Sequence, residues 1–333
     1  MREELVKILG IQTESYDTTM MDKYIINEIH DMGLIPVLDN GNIYVTKGLS
    51  DTYPCIVSHT DSVHKIIPPD DFTIIANDKF AIGFDNHKMS PSGCGGDDKV
   101  GIYICLELLK TIDCIKVAFF RDEEVGCVGS YEADVKFFND VRFILQCDRK
   151  GNQDFVNEIY GTQLQSKRFK KMVSSIIESY DYHFASGMLT DVYALTQLGV
   201  GVSVANMSCG YYNPHCDDEI VCFEDVERCL CMCQHIMEEM TERYECHHQV
   251  KPSHTYNTSP KMYGRYYDWD GLGWGDSDWD IDTTKKDIPT PIDLLGKYDK
   301  CQGCDEWIEI DKMQFVRDFN CEVCPSCREW AKV

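Results

Sequence analysis

Apolar residues recur at every third or fourth position from Met20 to Met32, and again in Lys99 to Leu109, Lys167 to Glu178, Asp191 to Leu198 and Phe223 to Tyr244. That spacing predicts helices, because residues three and four apart share one helical face. Between these segments lie short apolar runs bounded by polar turns: Asn42 to Thr46, Pro54 to Ser58, Ile115 to Phe120, Phe143 to Cys147 and Val200 to Ala205. Runs of that length predict buried strands. Strands alternating with helices predict an α/β layered domain over residues 1 to 246.

Beyond Cys246 the periodicity stops. Residues 247–297 are rich in Pro, Gly, Ser, Asp and aromatics, with six aspartates and no basic residue between Asp268 and Asp282. This composition predicts an acidic linker. Tyr266, Tyr267, Trp269, Trp274 and Trp279 leave open a second reading, a segment docked on one of the domains. Residues 298–333 form a third, cysteine-rich unit, so the 333 residues read as one large domain with a small appendage.

No stretch approaches the eighteen apolar residues of a membrane span. The N-terminal run Met1 to Gly10 mixes charge into an amphipathic pattern and has no secretory signal. A cytoplasmic protein is expected. Of the eighteen cysteines, thirteen are scattered through the first 246 residues, many inside apolar runs, and read as reduced core thiols. With 56 acidic against 32 basic residues, the net charge of −24 repels a phosphate backbone and disfavours nucleic acid as a partner.

Five polar clusters stand out against this background, four of them directly after apolar runs, where open α/β sheets gather functional residues. His59 follows the strand Pro54 to Ser58 and can bind a metal, while Asp61, two residues on, can hold its other ring nitrogen. Asp97, in Gly93-Cys94-Gly95-Gly96-Asp97-Asp98-Lys99, is a candidate carboxylate bridge between two metals; the competing reading is a helix cap. Glu123 and Glu124 follow the strand Ile115 to Phe120. Their side chains diverge, so that Glu124 can bind metal and Glu123 can act as general base. Asp148 ends the strand Phe143 to Cys147, placed to ligate the metal held by His59, and His215 lies in the loop ahead of the last helix. Mixed imidazole and carboxylate ligands accept zinc, cobalt or manganese.

This ordered set resembles the co-catalytic zinc exopeptidases and amidohydrolases, the group that includes peptidase T, the aminoacylases and the carboxypeptidase G type enzymes. The match covers roughly residues 1 to 246. His59-Thr60-Asp61 looks like their His-x-Asp motif, Gly96-Asp97-Asp98-Lys99-Val100-Gly101 like their bridging-aspartate segment, and Asp122-Glu123-Glu124-Val125-Gly126 like their Glu-Glu pair. The resemblance implies a mixed central sheet flanked by helices. It further implies one metal held by His59, Asp97 and Asp148 and another by Asp97, Glu124 and His215, with Asp61 orienting and Glu123 as general base. Only 66 residues separate Asp148 from His215, too few for the lid domain that the peptidase T branch carries there. Ser186-Gly187-Met188-Leu189-Thr190-Asp191 looks like the stretch that follows the lid, so a lidless catalytic domain is expected.

At the C-terminus, Cys301-Gln302-Gly303-Cys304 and Cys324-Pro325-Ser326-Cys327, nineteen residues apart, have the spacing of a four-thiolate structural zinc site and resemble a zinc ribbon. Cys321 is a rival ligand; Pro325 stiffens the turn that favours Cys324 and Cys327. The expectation is a hydrolase with two Zn²⁺ (or Co²⁺ or Mn²⁺) ions that cleaves short peptides or N-acyl amino acids. A structural Zn²⁺ in the appendage is expected as well, with a protein partner open to it. The rival reading is an inactive scaffold with the hydrolase fold, whose ribbon recruits a protein or nucleic-acid partner.

Overall fold

The computed structural model describes residues 2–247 together with the backbone of four short C-terminal strands, Tyr298–Lys300, Trp307–Glu309, Gln314–Val316 and Cys321–Val323. The linker from His248 onward, with its aromatic residues, and Cys301, Cys304, Cys324 and Cys327 lie outside the described residues.

The chain folds as a mixed α/β structure around a nine-stranded sheet. Its order is Val37–Asp39, Asn42–Lys47, Ile115–Phe120, Tyr53–His59, Val141–Arg149, Val204–Ser208 and Asp154–Ile159, with Thr162–Gln163 and His183–Gly187 both paired to the last of these. Four neighbouring strands in the middle, from Ile115–Phe120 to Val204–Ser208, are parallel, so their carboxyl ends share one edge. The outer pairings of Asn42–Lys47 and Asp154–Ile159 with this block are antiparallel.

Strand alternation sorts side chains into two apolar layers. Ile56, Val117, Phe119, Phe143, Leu145 and Cys147 face the layer covered by the helices Arg2–Leu9, Thr19–Asp31, Gly96–Thr111, Lys167–Ser179 and Phe223–Glu239. Cys55, Val57, Ala118, Phe120 and Ile144 face the other layer, closed by the helix Asp191–Gln197. Each buried Ile or Phe contributes about 2 kcal/mol of transfer free energy. The helix Gly96–Thr111 is buried almost all round rather than along one face, because it lies between the sheet and the N-terminal helix. It is the element that carries Asp97.

Two boundaries and one sheet differ from the periodicity. The strand expected at Val200 to Ala205 lies at Val204–Ser208, because Val200 and Val202 fill the second layer from the turn that precedes it. The closing helix stops at Glu239, and Tyr244 returns to the sheet, its N–H donating to Arg142 O and its carbonyl accepting from Ser203 N. A second, antiparallel sheet built from Phe72–Ala76, Phe80–Asp85, Ser90–Ser92, Tyr211–Tyr212 and Ile220–Cys222 has no counterpart in the sequence reading. It packs Phe80, Ile82, Ile220 and Cys222 into a small apolar cluster of its own.

Between Asp148 and His215 the strand Asp154–Ile159, the helix Lys167–Ser179 and the strand His183–Gly187 extend the central sheet at its edge. Among the described residues this segment forms no separate lid. Nor is any described helix long and apolar enough to cross a membrane.

Candidate metal centre

The shared carboxyl edge of the parallel strands collects the polar clusters. His59 is the last residue of Tyr53–His59, and Asp148 the penultimate residue of Val141–Arg149. Glu123 and Glu124 occupy the turn that leaves Ile115–Phe120, and His215 lies in the loop between Tyr211–Tyr212 and Ile220–Cys222 with a left-handed backbone, φ 65°. Asp97 comes from the opposite direction, at the start of the helix Gly96–Thr111. There Gly95 turns the chain at φ 64°, and Asp97 and Asp98 are not helical; the peptide bond between them is cis.

Asp97 faces both imidazoles. Its Oδ1 lies 3.1 Å from His59 Nε2 and its Oδ2 lies 3.3 Å from His215 Nε2. On one side, Asp148 Oδ1 lies 3.7 Å from His59 Nε2; on the other, Glu124 Oε2 lies 3.2 Å from His215 Nε2. Two imidazole–carboxylate sets therefore share the two oxygens of one aspartate. The helix-cap reading of this segment applies to the next residue instead, since Asp98 Oδ1 accepts the Gly101 N–H at 3.1 Å. Asp98 Oδ2 accepts from Ser58 Oγ at 2.5 Å, which ties the helix start to the end of the His59 strand.

Asp61 joins two loops. Its Oδ1 lies 3.3 Å from His59 Nδ1 and accepts Glu123 N–H at 2.9 Å, while its Oδ2 accepts Ser15 Oγ at 2.7 Å and Glu124 N–H at 3.3 Å. The Asp61 backbone carbonyl, 3.1 Å from His59 Nδ1, adds to this, so that one residue fixes both the His59 ring and the Glu-Glu turn. Cys127 Sγ donates to Glu123 Oε1 at 3.3 Å. Behind Asp148, its Oδ2 accepts from Gln146 Nε2 at 3.2 Å and Thr190 Oγ1 at 3.0 Å, and its Oδ1 from the Tyr211 hydroxyl at 3.2 Å. Gln146 Nε2 also donates to Asp191 Oδ2 at 3.1 Å, so the Thr190-Asp191 pair serves to hold Asp148.

Sequence reasoning missed Glu219. Its carboxylate is fully buried, its Oε2 accepting Gly95 N–H at 2.6 Å and its Oε1 accepting Asp97 N–H at 3.1 Å. It holds the turn that presents Asp97. His64 Nε2 lies 3.3 Å from the same Oε2. Lys99, also buried, donates to Leu9 O and Cys94 O and braces the turn from below. In the sequence Glu219 ends an acidic loop, Asp217-Asp218-Glu219, with nothing local to separate it from two solvated neighbours.

The electrostatics of the site are those of crowded, buried negative charge. Burial and the charge of Asp97 push Glu124 up to about 7, and burial with the same neighbour pushes Asp148 up to about 6. Burial and the nearby carboxylates Asp148, Asp191 and Glu124 push Glu123 well above the usual range. For His215 burial works downward, but hydrogen bonds to Asp97 and Glu124 outweigh it and raise the ring to about 11.

Divalent cations fit this donor set. Glu124 Oε1 is buried without a hydrogen-bond partner, and single donor atoms of His59, Asp97 and Glu124 lie within 4.8 Å of one another. His59, Asp98 and Asp148 form a second group of the same spacing. Borderline cations accept such mixed imidazole and carboxylate donors.

No protein-family model matches the sequence, and no curated protein does. Solved structures match its fold. The aminopeptidase PepT from Bacillus cereus superposes with a TM-score of 0.60 at 12% identity, covering 72% of this chain and 98% of that one. A tripeptidase from Staphylococcus aureus gives 0.57 at 13% identity, covering 70% and 96%. An aminopeptidase from the archaeon Desulfurococcus kamchatkensis gives 0.57 at 13% identity, covering 72% and 95%. At identities this low the likeness establishes the fold: the chain adopts the architecture of these peptidases.

Proposed function

We propose that the chain is a hydrolase with two co-catalytic divalent cations that cleaves the peptide or amide bonds of short peptides or N-acyl amino acids. The observation that carries this reading is Asp97, whose two oxygens face two imidazoles, each with a further carboxylate beside it. His59, Asp97 and Asp148 would hold one cation, and Asp97, Glu124 and His215 the other. Two such cations, when bound, supply Lewis-acid polarisation of a carbonyl and make water acidic enough to attack near neutral pH.

The rest belongs to the protein's own residues. Asp61 keeps the His59 ring in one tautomer, through Nδ1, and leaves Nε2 free to point inward. Glu123 takes the proton of the attacking water at its carboxylate and returns it to the leaving amine. Burial and the neighbouring carboxylates raise its affinity for protons, as a general base requires. Three neighbours in fold are aminopeptidases or a tripeptidase, which supports peptides as the substrate class and an exopeptidase mode.

The appendage fits a structural zinc unit. Tyr298–Lys300 pairs antiparallel with Trp307–Glu309, bracketing the sequence that holds Cys301 and Cys304, and Gln314–Val316 pairs with Cys321–Val323, directly ahead of Cys324. We assign residues 1–246 to the catalytic domain, 247–297 to a linker and 298–333 to this unit. The thirteen free thiols of the described residues suit a reducing, cytoplasmic setting.

A panel of di- and tripeptides and N-acetyl amino acids tests the reading. Hydrolysis should fall by about 10³-fold or more in Glu123→Gln, with metal content unchanged, as expected of a lost general base. Full activity in that variant, or none in the metal-loaded wild type on any of these substrates, would overturn it.

A further inference from the structure

A second group of metal-type donors lies away from the carboxylate centre, in the layer between the sheet and the closing helix. Strand alternation turns Asp148 toward the site and its neighbour Cys147 toward the opposite face. On Phe223–Glu239, Cys229 and Cys233 are four residues apart and share one face. Cys147 Sγ lies 3.5 Å from Cys233 Sγ and 3.7 Å from Cys229 Sγ, and the three sulfurs all lie within 4.8 Å of one another. Met207 Sδ is 3.4 Å from Cys233 Sγ. All four side chains are fully buried.

We propose that Cys147, Cys229 and Cys233 form a metal site for a thiophilic d¹⁰ cation, Cu(I) or Zn(II), with the Met207 thioether at its margin. Sulfurs at these separations lie roughly 2.3 Å from a common centre, the length of a zinc–thiolate bond, so little rearrangement is needed to accept the ion. Buried thiols usually pack as small hydrophobes. Among the described residues, this is the one triad made of cysteines alone whose donor atoms converge in this way.

The two centres differ in kind. Imidazole and carboxylate donors line the strand ends, whereas three thiols and a thioether form the inner group, which selects softer ions. Cys147 and Asp148 are consecutive on one strand, so an ion in the triad would clamp the closing helix to the strand that presents Asp148. The inner site is buried, and loading would accompany the docking of that helix on the sheet.

Cadmium NMR on the full-length chain, expressed in cadmium-supplemented medium, tests the proposal, because thiolate ligands shift the resonance far from that of oxygen ligands. Cys301, Cys304, Cys321, Cys324 and Cys327 are first replaced by serine, to remove the C-terminal thiols. A thiolate-type resonance should remain, and should vanish in both Cys229→Ser and Cys233→Ala made on that background, while resonances from oxygen-rich sites persist and report an intact fold. The two variants are made separately so that one folded variant suffices. Absence of a thiolate-type resonance from the tail-substituted chain overturns the proposal, as does its persistence in a folded triad variant. Elemental analysis of the tail-substituted chain purified from medium without cadmium then separates the two ions: the equivalent lost in Cys229→Ser is copper in one case and zinc in the other.

Discussion

Asp97 is oriented by a carboxylate 122 residues away in sequence. Because Glu219 accepts both Gly95 N–H and Asp97 N–H in a buried setting, Glu219→Ala leaves two donors without partners, at a cost of about 1–3 kcal/mol each. Thermal unfolding should register this loss, and dialysed protein should retain less metal; wild-type retention would show that Asp97 holds its place unaided. At this scale the convergence of His59, Asp97, Glu124, Asp148 and His215 was legible, because metal chemistry draws on a few residue types placed at strand ends. Glu219 and Asp98 were not legible, since their roles are defined by backbone groups that only the folded chain brings near. Asp98, beside Asp97, looks in the sequence like part of the same acidic pair, yet it caps the helix and ties Ser58 to it.

Among the elements, the helix Gly96–Thr111 couples the core to the site. A Cβ at Gly101 would come within 2.3 Å of an Asp98 carboxylate oxygen. Gly101→Ala should therefore destabilise the protein by about 1–3 kcal/mol through overpacking, and shift Asp98 with the turn that carries Asp97. Chemical denaturation measures the first effect and metal retention the second; an unchanged midpoint would contradict the packing described here. The periodicity located the main strands and helices because each buries a face against a neighbour. It missed the small second sheet, where strands such as Ser90–Ser92 and Ile220–Cys222 are too short to establish a period. It also placed one strand four residues early, because Val200 and Val202 are as apolar as the strand that follows them.

In the molecule as a whole, buried carboxylates make stability depend on pH, and a cation bound among them would add to it. In metal-stripped protein Glu124, Asp148 and Asp191, raised to about 7, 6 and 7 mainly by burial, bind protons that the unfolded chain releases near pH 4. The folded state then carries more protons than the unfolded one between about pH 4 and 7, so stability falls as pH rises through that window. His215, raised to about 11, contributes stability that is full below about pH 6.5 and is lost as pH rises from there through about 11, the same sign. Asp61 and Asp97, whose carboxyls are held low by hydrogen bonds from imidazoles against the effect of burial, act in the opposite sense only below about pH 4. Scanning calorimetry of stripped protein should give a higher Tm near pH 5.5 than near pH 8, and added zinc should reverse the order. A stripped Tm that climbs with pH would contradict the burial of these carboxylates.

Whether Asp97 joins two cations is read from the metal content of purified protein by mass spectrometry, with wild type, Asp97→Ala and His215→Ala run side by side. Losing the shared ligand should remove about two metal ions per chain, whereas losing His215 should remove about one, since only one of the two sites depends on it. Equal metal content in all three proteins would contradict the account.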